Sequence, residues 1–170
     1  MDPNNPIFHA VYLIEAETAT TLVSQTYSHQ EYNGDLISGM FQALESFINH
    51  LAYSKTYEHI QEITFGESLI TYERMGSRRI GRSVLAVAIS RKVKNPTYIH
   101  TYLRQILDTF IHMHKHHLKF FHGNTKPFLQ FKRHLTGLNQ RFMNIFGDKI
   151  EKKPAEIPGP SFLKDFSQFS

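Results

Sequence analysis

Residues 84–89 read Val-Leu-Ala-Val-Ala-Ile, six apolar residues in a row. A short apolar run with several β-branched residues is typical of a strand that is covered on both faces. Residues 7–16 have the same character, because apolar side chains occupy both of their faces. We therefore expect these two runs to be neighbours at the centre of one sheet.

Three more strands are predicted around this centre. Residues 21–27 alternate and contain β-branched residues, so they can return after the first strand as a hairpin. Short loops that contain glycine join residues 59–65 to residues 68–75, and these in turn to residues 84–91, which indicates consecutive hairpins. The expected sheet has five antiparallel strands.

Three stretches have apolar side chains at the three-to-four residue spacing of an amphipathic helix. The first covers residues 33–51, the second begins at the cap and first-turn pair of residues 95–96, and the third follows a break at residues 122–124. Together with the strands they predict an α+β domain over residues 1–146. We expect the first helix on one face of the sheet and the other two helices on the opposite face.

Residues 147–170 are predicted to form a separate tail. Their composition shifts to lysine and proline, and the prolines cannot continue a helix, so residues 148–160 are expected to be irregular. Four apolar residues on one helical stripe near the end favour docking in a groove of this domain or of a partner. They are Phe162, Leu163, Phe166 and Phe169.

Composition narrows the classes of function. Cys is absent, which excludes a disulfide framework and a Cys nucleophile and favours a reducing, cytoplasmic compartment. No run approaches the roughly 20 apolar residues of a membrane helix, which leaves room only for peripheral membrane association. The net charge of +4 is small compared with the dense basic face of a nucleic-acid binder. We expect no membrane span and no nucleic-acid partner.

The histidines of residues 112–117 are the densest group of potential metal ligands. Two pairs of them stand three or four residues apart on a helix, a spacing that suits zinc or nickel. A zinc site typically needs three or four ligands, and the nearest upstream carboxylate is Asp108. A solvated helix end, where His and Lys favour the C-terminal dipole, is the preferred interpretation. No metal or cofactor is predicted.

Two groups of polar residues are candidates for contact with a partner. A turn between strands contains Arg78, Arg79 and Arg82. A guanidinium group can donate two hydrogen bonds to a phosphate or carboxylate, so this turn could bind an anionic partner. The alternative is that a basic hairpin tip is ordinary solvated surface. The first helix is expected to show a polar face to water. That face comprises Ser38, Gln42, Glu45 and Asn49.

Catalysis has weak support in the sequence. Glu15 and Glu17 are spaced like paired carboxylates, but we expect them to be ordinary residues at a strand end. No recognised nucleophile pattern and no glycine-rich phosphate loop are present. We predict that the protein is not an enzyme.

The order strand, strand, helix, three strands, helix, helix resembles the longin domain. This profilin-like fold occurs in trafficking SNAREs, adaptor small chains and activators of small GTPases, and the resemblance covers roughly residues 7–146. Roadblock-type proteins, which also bind small GTPases, have a similar pattern of hydrophobic residues, but they usually begin with a helix, whereas this chain begins with a predicted strand.

The longin resemblance implies a non-catalytic adaptor or regulatory module for vesicle trafficking. Its partner would be a small GTPase, another longin or roadblock chain, or a second copy in a homodimer. The alternative is a small-molecule sensor of profilin or PAS type, which would hold its ligand in an apolar pocket of about 300–1,000 Å³. A nucleic-acid binder that uses the arginine turn and the lysines near the carboxyl end is a distant third.

Overall fold

The structure is a computed structural model, and it describes residues 6–28, 37–43, 62–77 and 80–152. These residues form an α+β fold with a five-stranded antiparallel sheet. The strands are β1 (Phe8–Glu15), β2 (Thr20–Thr26), β3 (Glu62–Phe65), β4 (Ser68–Ser77) and β5 (Arg82–Arg91). The helices are α1 (residues 37–43 of the described part), α2 (Thr97–Lys119) and α3 (Phe131–Ile150), with a 3-10 helix at Lys126–Phe128.

The strand order is β2-β1-β5-β4-β3, and every neighbouring pair is antiparallel. β1 and β5 therefore lie side by side in the interior, as their two apolar faces predict. Tyr12 of β1 pairs with Val87 of β5, which in turn pairs with Tyr72 of β4.

Both faces of the sheet are buried, and alternate side chains serve different clusters. On one face, residues such as Val11, Leu13 and Ala86 pack with apolar residues of α2 and α3. On the other face, the alternating residues from Ala10 to Ile14 and from Leu85 to Ile89 pack with Phe41 of α1. The central strands need apolar side chains at every position because each face meets its own cluster.

The two long helices bury most of the apolar stripes that their spacing predicts, but Met113 of the α2 stripe and Ile145 of the α3 stripe are exposed. Ile99, Leu103, Ile106 and Phe110 of α2 are fully buried against the sheet and α3. Phe128 is also buried, but it lies in the 3-10 helix and not in α3, which begins at Phe131. The third helix thus starts later than the sequence pattern suggests.

The end of α3 differs from the predicted boundary at residue 146. The helix continues through Gly147 to Ile150, so residues 148–150 are helical and not irregular. Ile150 is buried, and its carbonyl accepts a hydrogen bond from the Asn95 N–H at 3.1 Å. The buried contact holds the last turn onto the domain. The apolar stripe predicted from residue 162 onwards lies outside the described residues.

The β4–β5 hairpin is longer than predicted, since β4 extends to Ser77 and β5 begins at Arg82. Gly81 has a φ of +68°, a conformation that side chains with a Cβ rarely adopt, and this fits the return of the chain into β5. The extension moves Arg82 out of the turn and into the sheet. The start and end that the sequence predicts for the first helix lie outside the described residues.

Candidate functional site

Glu15 and Arg82 form an ion pair where β1 ends and β5 begins. Arg82 Nη1 donates to Glu15 Oε1 at 2.6 Å, and the Glu15 side chain is 0% exposed. Arg82 Nη2 donates to the Phe121 carbonyl at 2.9 Å, so the same guanidinium also joins the sheet to the segment after α2. Glu15 additionally accepts hydrogen bonds from the N–H and the hydroxyl of Thr18.

These contacts correct two expectations. Glu15 is not an ordinary strand-end residue, and Arg82 is not a freely solvated residue of a basic turn. Burial raises the pKa of Glu15, but the hydrogen bonds that it accepts from Thr18 and Arg82 outweigh burial, and the pKa lies below its ordinary value. The carboxylate is therefore held in its charged form as a structural acceptor. Arg78 and Arg79 lie outside the described residues.

Glu17 has a comparable role at the surface. Its carboxylate accepts hydrogen bonds from the Ser83 N–H at 3.0 Å and from the Ser83 hydroxyl at 2.9 Å. The two glutamates thus fasten the β1–β2 turn to the start of β5 through different partners.

The predicted polar face of the first helix is only partly described. Ser38 is buried, and its hydroxyl lies 2.6 Å from the Thr21 hydroxyl of β2, so it is not part of a water-facing surface. Gln42 is exposed, as expected. Glu45 and Asn49 lie outside the described residues. Ser38 therefore joins α1 to β2, whereas Gln42 is exposed to solvent and accessible to a partner.

The histidine-rich end of α2 contains one buried ring. His114 lies against Phe110, Phe128 and Phe131, with ring centroids 4.9, 5.3 and 5.9 Å away. Neither ring nitrogen has a hydrogen-bond partner among the described residues. Burial, followed by the nearby His117, lowers the pKa of His114, which favours the neutral ring.

The remaining histidines of residues 112–117 are exposed, as a solvated helix end requires, whereas His114 is a core residue. Within the described ranges, no three side chains of the metal-binding types are placed so that they hold one ion. Also within these ranges, no helix has the length and apolar character needed to cross a membrane.

A second polar cluster, centred on His100 of α2, was missed by sequence reasoning. His100 Nδ1 lies 2.9 Å from Glu73 Oε1, and His100 Nε2 lies 2.8 Å from Glu62 Oε1. Arg104 adds a contact of 3.0 Å to the same Glu73 oxygen. Each ring nitrogen therefore has a carboxylate oxygen within hydrogen-bond distance. The cluster ties α2 to β4 and to the edge strand β3.

The two edges of the sheet differ in how open they are to pairing. β3 has four residues, and its Glu62 is engaged by His100. β2 has seven residues, none of them charged and none of them proline. Short strands and charged residues are the usual protection of an edge, so β2 is the less protected of the two.

The ladder shows which groups of β2 point outward. The Tyr27 N–H donates to the His9 carbonyl at 2.8 Å, so the backbone of Tyr27 faces β1. Gln25 and Val23 lie two and four residues before Tyr27 in the same register, opposite Val11 and Leu13, and their backbone groups therefore also face β1. In an antiparallel ladder the residues between such pairs turn their N–H and C=O away. Ser24 and Thr26 therefore direct their backbone groups to the outer edge, where no other described strand lies and where the Gln25 side-chain amide donates to the Thr26 carbonyl at 3.1 Å.

No protein-family model and no curated protein matches this chain. The charged groups Glu15, Arg82, Glu73 and His100 join secondary-structure elements, whereas the outer edge of β2 presents backbone donors and acceptors suited to pairing with another strand.

Proposed function

We propose that the chain is a non-catalytic adaptor or regulatory module of longin-like architecture. In this proposal it binds a small GTPase or a vesicle-trafficking partner, directly or through a second longin-type or roadblock-type chain, a copy of itself included. The observation that carries the proposal is the outer edge of β2, which has no charged residue and along which no other described strand lies.

The layer arrangement supports the longin-like part of the proposal. Phe41 of α1 belongs to the cluster on one sheet face, with its ring 5.1 Å from that of Tyr72. α2 and α3 contribute to the cluster on the other face. One helix against one face and two against the other is the arrangement that the element order implies.

The β2 edge explains how such a module would bind. A partner strand laid along β2 would meet the outward backbone groups of Ser24 and Thr26 without having to desolvate a charged side chain of this strand. The hydrogen bond between Thr21 and Ser38 places the start of the described part of α1 beside β2. A partner on this edge would therefore also reach the exposed Met40 and Gln42 of α1.

Replacing Ser24 by proline tests the proposal. Proline removes the outward N–H at this position but leaves the inward bonds of Gln25 and Val23 to β1. The matched control is Ser24→Ala, which retains the N–H. Circular dichroism establishes that both variants are folded.

Binding is measured in two ways on the full chain. Sedimentation velocity reports self-association, and a panel of purified small GTPases, each loaded with GDP or with a non-hydrolysable GTP analogue, reports GTPase binding. We expect Ser24→Pro to lose the association that the wild type and Ser24→Ala show. Association that survives in Ser24→Pro would refute the role of the edge, and a wild type that binds neither itself nor any GTPase would refute the proposed function.

A further inference from the structure

The net positive charge of the chain comes from one segment, which has no acidic residue. Residues 109–147 contain six of the 19 basic residues and none of the 15 acidic residues, so the rest of the chain has 13 basic and 15 acidic residues. The surplus of +4 therefore originates in this segment. The six are Lys115, Lys119, Lys126, Lys132, Arg133 and Arg141, and all of them are exposed.

These cations are not neutralised within the described residues. The salt bridges found there involve Arg74, Arg82, Arg91, His100 and Arg104, and none of the six. Five of the six lie within residues 115–133, which comprise the end of α2, the connection and the first turn of α3. We call this region the α2–α3 tip.

Ring contacts show that the two sides of the tip are adjacent. The ring centroids of His117 in α2 and Phe128 in the 3-10 helix are 6.2 Å apart, and those of His114 and Phe131 of α3 are 5.9 Å apart. The lysines on the last turns of α2 and the cations on the first turn of α3 consequently belong to one end of the helical layer.

The tip also exposes large apolar side chains. Phe120 is 57% exposed and Leu129 is 48% exposed. Lys119 Nζ lies 5.6 Å from the centroid of the Phe120 ring, and the centroid of the His116 ring lies 5.1 Å from the same point. Exposed apolar side chains next to cations suit an interface that is both apolar and negatively charged.

We propose that the α2–α3 tip binds the surface of an anionic phospholipid membrane, with Phe120 and Leu129 entering the headgroup region. Lysine and arginine attract the negative surface potential, and Phe and Leu contribute apolar burial. A nucleic-acid strand would also meet the cations and stack on Phe120. The aliphatic Leu129 offers it no stacking partner, so the membrane is the better match. This binding is independent of the β2 edge.

The first test is flotation of the full chain with vesicles of phosphatidylcholine alone or with about 30% phosphatidylserine, an anionic lipid. The double variant Lys119→Gln, Lys132→Gln removes two cations of the tip. The matched control, Lys92→Gln, Lys94→Gln, removes two exposed lysines that precede the start of α2. Since α2 has 23 residues at about 1.5 Å each, its two ends, where these lysine pairs lie, are roughly 35 Å apart.

We expect the wild type and the Lys92→Gln, Lys94→Gln control to bind the anionic vesicles and not to bind vesicles of pure phosphatidylcholine. Each removed cation should weaken binding about fivefold, so the tip variant should bind roughly 25-fold more weakly. Equal losses in the two double variants would point to net charge and would overturn a site at the tip.

The second test places a fluorescent reporter at the apolar part of the tip. The chain contains no Trp, so Phe120→Trp introduces a single tryptophan. Its emission should shift to shorter wavelength when anionic vesicles are added. The matched control is Ile145→Trp on α3, at a residue that is 60% exposed and 14 positions beyond Phe131, and its emission should stay constant.

Two results would overturn the proposal. One is an unshifted emission from Phe120→Trp in the presence of vesicles. The other is a wild type that fails to float with anionic vesicles, including the case in which it binds a single-stranded oligonucleotide instead. Circular dichroism on each variant separates unfolding from a loss of binding.

Discussion

Glu15→Ala should destabilise the protein far more than the loss of an ordinary strand-end residue. The Glu15 side chain is fully buried, and the Arg82 side chain is 25% exposed and 2.6 Å away. Removing one partner of a buried pair leaves an uncompensated charge, which typically costs about 3–5 kcal/mol. Because Arg82 keeps its bond to the Phe121 carbonyl and some contact with water, we expect about 3 kcal/mol.

Two further variants separate charge from hydrogen bonding. Glu15→Gln keeps an acceptor for Thr18 but removes the charge, so its cost should be smaller, about 1–3 kcal/mol. Combining Glu15→Ala with Arg82→Ala completes a double-mutant cycle. The coupling should be about 1–3 kcal/mol in favour of the native pair, because residues in direct contact are not additive.

Urea unfolding followed by circular dichroism measures these free energies. The pair of Arg91 and Glu151, 2.8 Å apart and with side chains 32% and 37% exposed, provides the control, and Arg91→Ala should cost about 1 kcal/mol because water reaches both partners. The pKa of Glu15 is lower in the folded protein than its ordinary value of 4.5. Its contribution is therefore complete above that value and is lost as the pH falls through the folded pKa. A cost below about 1 kcal/mol for Glu15→Ala at neutral pH would refute this reasoning.

Three other perturbations have defined outcomes. The pKa of His114 lies below 6.5 in the folded state, so the unfolded chain takes up a proton first as the pH falls through 6.5, and the free energy of unfolding decreases. His114→Leu should reduce this dependence of the unfolding free energy on pH in urea titrations between about pH 7.5 and 5.5. Phe41→Ala should cost about 3–5 kcal/mol in the same assay, whereas Met40→Ala on the exposed side of α1 should change stability by less than about 0.5 kcal/mol. His100→Ala should cost about 1–3 kcal/mol and accelerate hydrogen exchange of the β3 amides, and unchanged exchange would contradict the role of its contact with Glu62.

The centre of the sheet was predictable because its cause is local. A strand covered on both faces must be apolar at every position, and this property is visible in residues 84–89 and 7–16 without knowledge of the partner strands. The ends of elements were less accessible. α3 passes residue 146 because Ile150 finds a buried place and a bond from Asn95, two facts of tertiary structure.

The polar clusters escaped prediction for the same physical reason. Glu15 and Arg82 are 67 residues apart in the chain, and Glu73 and His100 are 27 residues apart. No periodicity connects residues at such distances. A hint existed in the spacing of His100 and Arg104, one turn apart on α2, but it identifies a common helix face and not the carboxylate beneath it.

The salt dependence of binding distinguishes the two proposed surfaces, because they use different interactions. The β2 edge offers backbone hydrogen bonds and no charged side chain, so ionic strength should affect its binding only weakly. The α2–α3 tip depends on cations in water, and the Debye length falls from about 10 Å at 0.1 M salt to about 3 Å at 1 M. Raising the salt should therefore release the chain from anionic vesicles and leave association through β2 nearly unchanged. If both decline in parallel, the partner at β2 is recognised by charge, and the backbone edge cannot be its main contact.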